Sequence, residues 1–152
     1  MAELSILMVA DVSPLETHGG AARVLREHSR GLRARGHSVE VLCRMPGPLA
    51  PAASDMDGVP VRQYDVVRAH PVAYFVSSVL RARRAYVRSL LDRRWDAVVF
   101  HQPLSAVGLR RVLPPATPAV YVFHSPAATE YRIRAASPRS SRPRLGIGAA
   151  CA

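Results

Sequence analysis

The stretch "LSILMVADVSPLETHGGAARVLREHSRGLRARGHSVEVLCR", Leu4 to Arg44, decides how this chain folds. It opens on an almost unbroken apolar run, Leu4 to Ala10. A run of that kind reads as a strand buried on both faces, as in a parallel sheet. From Ala21 to Arg35, Val24, Leu25, His28 and Leu32 fall on one side at helical spacing, and arginines lie largely elsewhere. Gly36 follows as a helix stop. "SVEVLCR", Ser38 to Arg44, alternates and is β-branched, which predicts a second strand. Strand, glycine-marked turn, helix and strand make a βαβ unit, with parallel strands and a right-handed crossover.

The alternation continues outward. "MPGPLAPAASDMDG", Met45 to Gly58, predicts a loop. Val59 to Val67 predicts a third strand, weakened by Pro60. Pro71 to Arg94 predicts a long helix, with apolar residues at helical intervals and arginines between them. Its bland reading is a helix covering the sheet. Its sharper reading is a basic amphipathic surface for peripheral contact with anionic lipid. "WDAVVFHQP", Trp95 to Pro103, predicts a fourth strand that ends in His101. Ser105 to Leu113 predicts a short helix, and Pro118 to Pro126 a fifth strand that ends in His124. The fold class is therefore α/β, a Rossmann-like doubly wound parallel sheet with helices on both faces. The folded domain is expected over residues 1–136. Residues 137–152, mostly Ser, Pro, Arg, Gly and Ala without periodicity, read as a disordered tail.

Composition bounds the rest. The 152 residues suit one domain with a real core. A net charge of +10 would by itself suggest nucleic acid or anionic membrane. All 21 basic residues are arginine, however, and they are spread along the chain. That skew fits GC-rich codon usage as well as function, and no nucleic-acid partner is expected. Cys43 and Cys151 lie far apart with no metal-ligand spacing, which points to a reduced, cytoplasmic setting. No signal-peptide pattern and no stretch of about 18 uncharged apolar residues occurs.

Three features fall beyond the carboxyl ends of the predicted strands, where doubly wound sheets bind ligands. They are Gly19-Gly20 after the first strand, His101 after the fourth and His124 after the fifth. Glycines lack Cβ, so the backbone can take positive φ and a ligand can come close. The following helix N-terminus offers unpaired N–H groups and partial positive charge, which suits a phosphate. A plain tight turn is the competing reading, and neither G-x-G-x-x-G nor a P-loop occurs. His18, His101 and His124 are the candidate acid, base or hydrogen-bonding groups. A lone histidine at a strand end is otherwise structural. His28 reads as a packed residue or one that backs the site, His37 as structural, and His70 as a loop residue. No G-x-S-x-G elbow occurs, and Cys43 has no evident base partner.

The opening stretch, with Arg35, Gly36, His37, Val39 and Val41 at its end, resembles the N-terminal domain of GT-B glycosyltransferases of family 4. "WDAVVFHQPLSA" resembles that family's fourth strand and "AVYVFHSPAATEY" its fifth, and the likeness runs from about Leu4 to Arg134. The resemblance implies a metal-independent, retaining transferase without a cofactor, moving a sugar from a nucleotide-sugar donor to an acceptor hydroxyl. It implies that Gly19 and Gly20 approach the donor diphosphate and that His124 lies near the transferred sugar. The family's second domain, which carries the nucleotide pocket and an E-x7-E motif, has no counterpart here. The expectation is an incomplete GT-B N-terminal half, inactive alone, whose partner would be a C-terminal domain. The alternative class is a non-catalytic module that binds an anionic ligand or pairs with a partner.

Overall fold

The computed structural model of the protein describes residues 2–16 and 19–124. At its centre is β1 (Ser5–Ala10). β1 pairs in parallel with β2 (Ser38–Arg44) on one edge and with β5 (Ala97–Phe100) on the other. Its two faces are covered as well. Ile6, Met8 and Ala10 share a core with Leu25 of α1 (Gly20–Ala34), while Leu7 and Val9 pack with Tyr86 of α2 (Pro71–Ser89) and Leu109 of α3 (Pro103–Leu109). A strand enclosed on four sides has no exposed position for a polar residue, which explains the unbroken apolar run.

The sheet has six strands in the order β3-β4-β2-β1-β5-β6. β4 (Val59–Tyr64) and β6 (Ala119–Tyr121) pair in parallel with β2 and β5. The chain lays β2 and β4 on one side of β1, then crosses through α2 to place β5 on the other side. The direction of winding reverses between β1 and β5, where doubly wound sheets open a crevice.

The segment predicted as a loop between Met45 and Gly58 contains a strand, β3 (Ala53–Met56), antiparallel to β4. Asp57 and Gly58 join them with φ of 54° and 81°. Two positive φ values make the type I′ turn that Asp-Gly favours in two-residue hairpins. The Arg30 guanidinium of α1 pairs with the Asp57 carboxylate and holds the turn against the helix. Pro60 does not interrupt the sheet. It stands opposite Asp55, one step from the turn, and β2 begins to pair only at Val61.

Helix boundaries also differ from expectation. α2 stops at Ser89, not Arg94, because Leu90 leaves helical geometry at φ −135° and the chain turns to bury Trp95 in the core. Asp96 then accepts a hydrogen bond from the Ser5 N–H at 2.7 Å, which fixes the start of β1. α3 runs from Pro103 to Leu109 where Ser105 to Leu113 was predicted, since proline is suited to the first helical position. The fifth predicted strand is short, Ala119–Tyr121, and residues 125–152, including the expected tail and the end of the expected domain, lie outside the described residues. His70 caps α2, accepting a hydrogen bond from the Val72 N–H on Nδ1 at 3.2 Å. His37 is structural as read, with its Nδ1 accepting from the Leu4 N–H.

α3 lies against α2 at a glycine. A Cβ on Gly108 would sit 2.5 Å from the Val79 carbonyl oxygen of α2. That contact is with backbone, so relief requires the helices to separate. Gly108→Ala is expected to lower stability by about 1–3 kcal/mol, measured from urea midpoints. An unchanged midpoint would show that the helices can part without cost.

Candidate functional site

The site forms where β1, β5 and β6 end. β1 runs directly into Asp11, whose buried carboxylate accepts hydrogen bonds from the Leu104 N–H at 3.0 Å and the Ser105 N–H at 2.9 Å. These are N-terminal amide groups of α3, whose own cap residue, Gln102, supplies no capping side chain. Gln102 instead accepts from the Asp11 N–H on Oε1 at 2.6 Å. Strand β1 and helix α3 thus satisfy each other's loose polar groups across the crevice. Tyr64 of β4 adds its hydroxyl to Asp11 Oδ1 at 3.2 Å. Burial pushes the Asp11 carboxyl up from its ordinary value, and the Ser105 and Leu104 hydrogen bonds oppose that shift. The sequence reading passed over Asp11. An acidic residue directly after a buried strand is the signal that would have found it.

His101 follows β5 and is fully buried. Its backbone N–H continues the sheet to the Val9 carbonyl, which locks the ring's position relative to β1. Its Nδ1 lies 3.2 Å from Nε2 of His124, and the two rings stack with centroids 5.4 Å apart. His28 of α1 brings a third ring, 5.5 Å from that of His101. His28 is exposed, so it is no core residue, and it backs His101 from the helix. Among the described residues, Nε2 of His101 is buried without a hydrogen-bond partner. A second proton there would have no acceptor. Burial, with the charges of His124 and His28, pulls the His101 pKa down from 6.5 to about 4. His101 is therefore a neutral imidazole at physiological pH, fixed by its one bond to His124.

Gly19 is the N-cap of α1, with φ of 109° and ψ of 134°. That backbone region is nearly restricted to glycine. Among the described residues, no atom lies within 4 Å of a Cβ built on Gly19 or Gly20. The first turn of α1 carries no acidic residue. The loop before it is anchored by Arg26, which donates to the Pro14 carbonyl from Nε at 2.8 Å and to the Glu16 carbonyl from Nη2 at 2.7 Å. His18, the remaining candidate, lies outside the described residues. The structure thus brings His101 and His124 into contact and places Gly19-Gly20 at the start of the helix that carries His28.

Two other features have limited chemistry. Cys43 is buried, and burial pushes its thiol up to about 12, so it is no nucleophile at neutral pH. Among the described residues, no group of three or more His, Cys, Asp or Glu side chains is arranged to hold a metal ion.

The fold is that of one Rossmann-like half of the GT-B architecture. The sequence matches the Glycosyltransferase Family 4 model over residues 18–150, and the chain belongs to that family. Among solved structures, sucrose-phosphate synthase from Thermosynechococcus elongatus is similar, with a TM-score of 0.65 at 18% identity. The match covers 91% of this chain and 37% of that one, so the chain spans well under half of that relative's length. At this identity the likeness establishes the fold. No curated protein sequence matches.

The depressed pKa of His101 gives a pH dependence. The fold favours its neutral form, so its stabilising contribution is full above 6.5 and is lost as pH falls towards 4. Between pH 7 and pH 5 the chain should lose on the order of 1–2 kcal/mol through this group. Urea midpoints at the two pH values should therefore differ more for the native chain than for His101→Gln. Equal differences would mean that His101 titrates normally in the fold.

Proposed function

We propose that this chain supplies the acceptor-side half of a sugar-transfer site. The transfer runs from a nucleotide-sugar donor to an acceptor hydroxyl, with retention and without a metal. The carrying observation is the N-terminus of α1 at Gly19-Gly20, with no acidic residue in its first turn, on the same sheet edge as the His101–His124 pair. A diphosphate approaching Gly19-Gly20 meets backbone N–H groups and the positive end of a helix dipole. Those groups favour the leaving diphosphate as its charge grows, and they need no rearrangement to do so. His124 is the hydrogen-bonding residue nearest the reacting sugar. Its Nε2 is committed to His101, so Nδ1 is the nitrogen that reaches the ligand. Neutral, buried His101 fixes that ring as a positioning residue.

The opposite wall of the cleft, which binds the nucleotide, belongs to a second domain. By itself the chain holds a donor weakly and does not turn it over. The test is amide and imidazole chemical shifts of the 152-residue chain, titrated with uridine, guanosine and adenosine diphosphate sugars and with inorganic pyrophosphate. The expected result is weak, saturable shifts at Gly19, Gly20 and His124 with at least one probe, removed by Gly20→Val while the fold is retained. Shifts confined to other residues would overturn the site. Sugar transfer by the chain alone at an ordinary rate of roughly 1 per second or faster would overturn its dependence on a second domain.

A further inference from the structure

The outer face of α2 is apolar where a soluble helix is normally polar. Ser77, Ser78, Ala82 and Tyr86 face the core, so the small and polar residues lie inside. Val72, Val76, Leu80, Val87 and Leu91 are 40–64% exposed. With Arg83, the first four step by four or three residues along one side of α2, and Leu91 follows just past its end. Arg84 and Arg88 flank the stripe, and Leu80, Arg83, Arg84, Val87 and Arg88 line one shallow depression. α3 extends the same surface through Val107, Arg110 and Arg111, which line a groove shared with Leu80 and Arg83. Residues 71–91 and 103–113 contain no Asp or Glu. Arg81 is the exception among these arginines, since Asp65 engages it.

We infer that the α2–α3 face is a docking surface for a lipid leaflet rich in anionic headgroups. Charge complementarity selects this occupant. Five arginines without a carboxylate repel a second copy of the same face. The segment after His124 carries five arginines and one glutamate, so it is no better matched. The apolar stripe separates a leaflet from a nucleic acid. Exposed Val and Leu side chains gain by entering the boundary between headgroups and acyl chains, whereas phosphate grooves offer them nothing. Arginine stems lie along the apolar surface and keep the guanidinium groups at headgroup level. Among the described residues no helix is long and apolar enough to cross a membrane, so the contact is peripheral. The face lies across the sheet from α1, and docking leaves the Gly19-Gly20 approach uncovered.

The test is flotation of the 152-residue chain through a density gradient with vesicles, since aggregated protein does not float. The vesicles are phosphatidylcholine alone, or phosphatidylcholine with about one-third phosphatidylglycerol. The chain should float with the anionic vesicles, less so at higher salt, and not with the neutral ones. Arg83→Glu/Arg84→Glu/Arg88→Glu should weaken partitioning on the order of 100-fold or more, given about a fivefold contribution from each basic residue near a charged surface. Val76→Ser/Leu80→Ser/Val87→Ser should weaken it as well. All of these positions are exposed, so circular dichroism should show both variants folded. No flotation of the native chain overturns the proposal. So does flotation unchanged in either variant, or equal flotation with neutral vesicles. Binding to single-stranded RNA without binding to vesicles would assign the face to nucleic acid instead.

Discussion

The enclosure of β1 is the constraint on which the structure depends. The strand has a parallel neighbour on each edge and a helical layer on each face. At its carboxyl end the chain leaves the sheet at the buried Asp11. Because β2 and β5 leave β1 in opposite directions, their connecting helices diverge there. The divergence gives the edge room for α3, for the α1 N-terminus and for three imidazole rings. The sheet order positions the candidate site, and loop detail only decorates it.

Two buried ionisable groups at that edge show how differently burial is handled. Asp11 accepts hydrogen bonds from two amides and a phenol, so its carboxylate is well satisfied despite being inside. It serves as a joint between β1 and α3. Among the described residues, the His101 ring makes one bond and its Nε2 has no partner. A group left partly unsatisfied costs stability, and such costs concentrate where geometry is set by function. The first arrangement explains architecture, and the second is a cost that the fold carries at the candidate site.

Much of this was legible in the sequence, for identifiable reasons. The βαβ opening was readable because β1 is buried on all sides and α1 on one, and those states leave different periodicities. His101 and His124 stood out because they end apolar strands. β3 was missed because "ASDM" has little strand propensity and was read with the proline-rich loop before it, although Asp57-Gly58 is a strong hairpin signal. The end of α2 was missed because Leu90 and Leu91 continue the helical pattern while serving different ends, one in the core and one on the surface. Nothing local could reveal that Asp11 caps α3, since its partners are set by the winding of the whole sheet.

That capping has a consequence in time. Asp11 waits for amide groups 93 and 94 residues further along the chain. At a synthesis rate of about 5–20 residues per second, roughly 5–20 s pass before Ser105 exists. The βαβ opening can close its short loop long before then. β1 and α1 can therefore assemble on the nascent chain while the carboxyl end of β1 stays hydrated. The joint between Asp11 and α3 can close only after that opening exists, and its assembly reports that β5 has found its place.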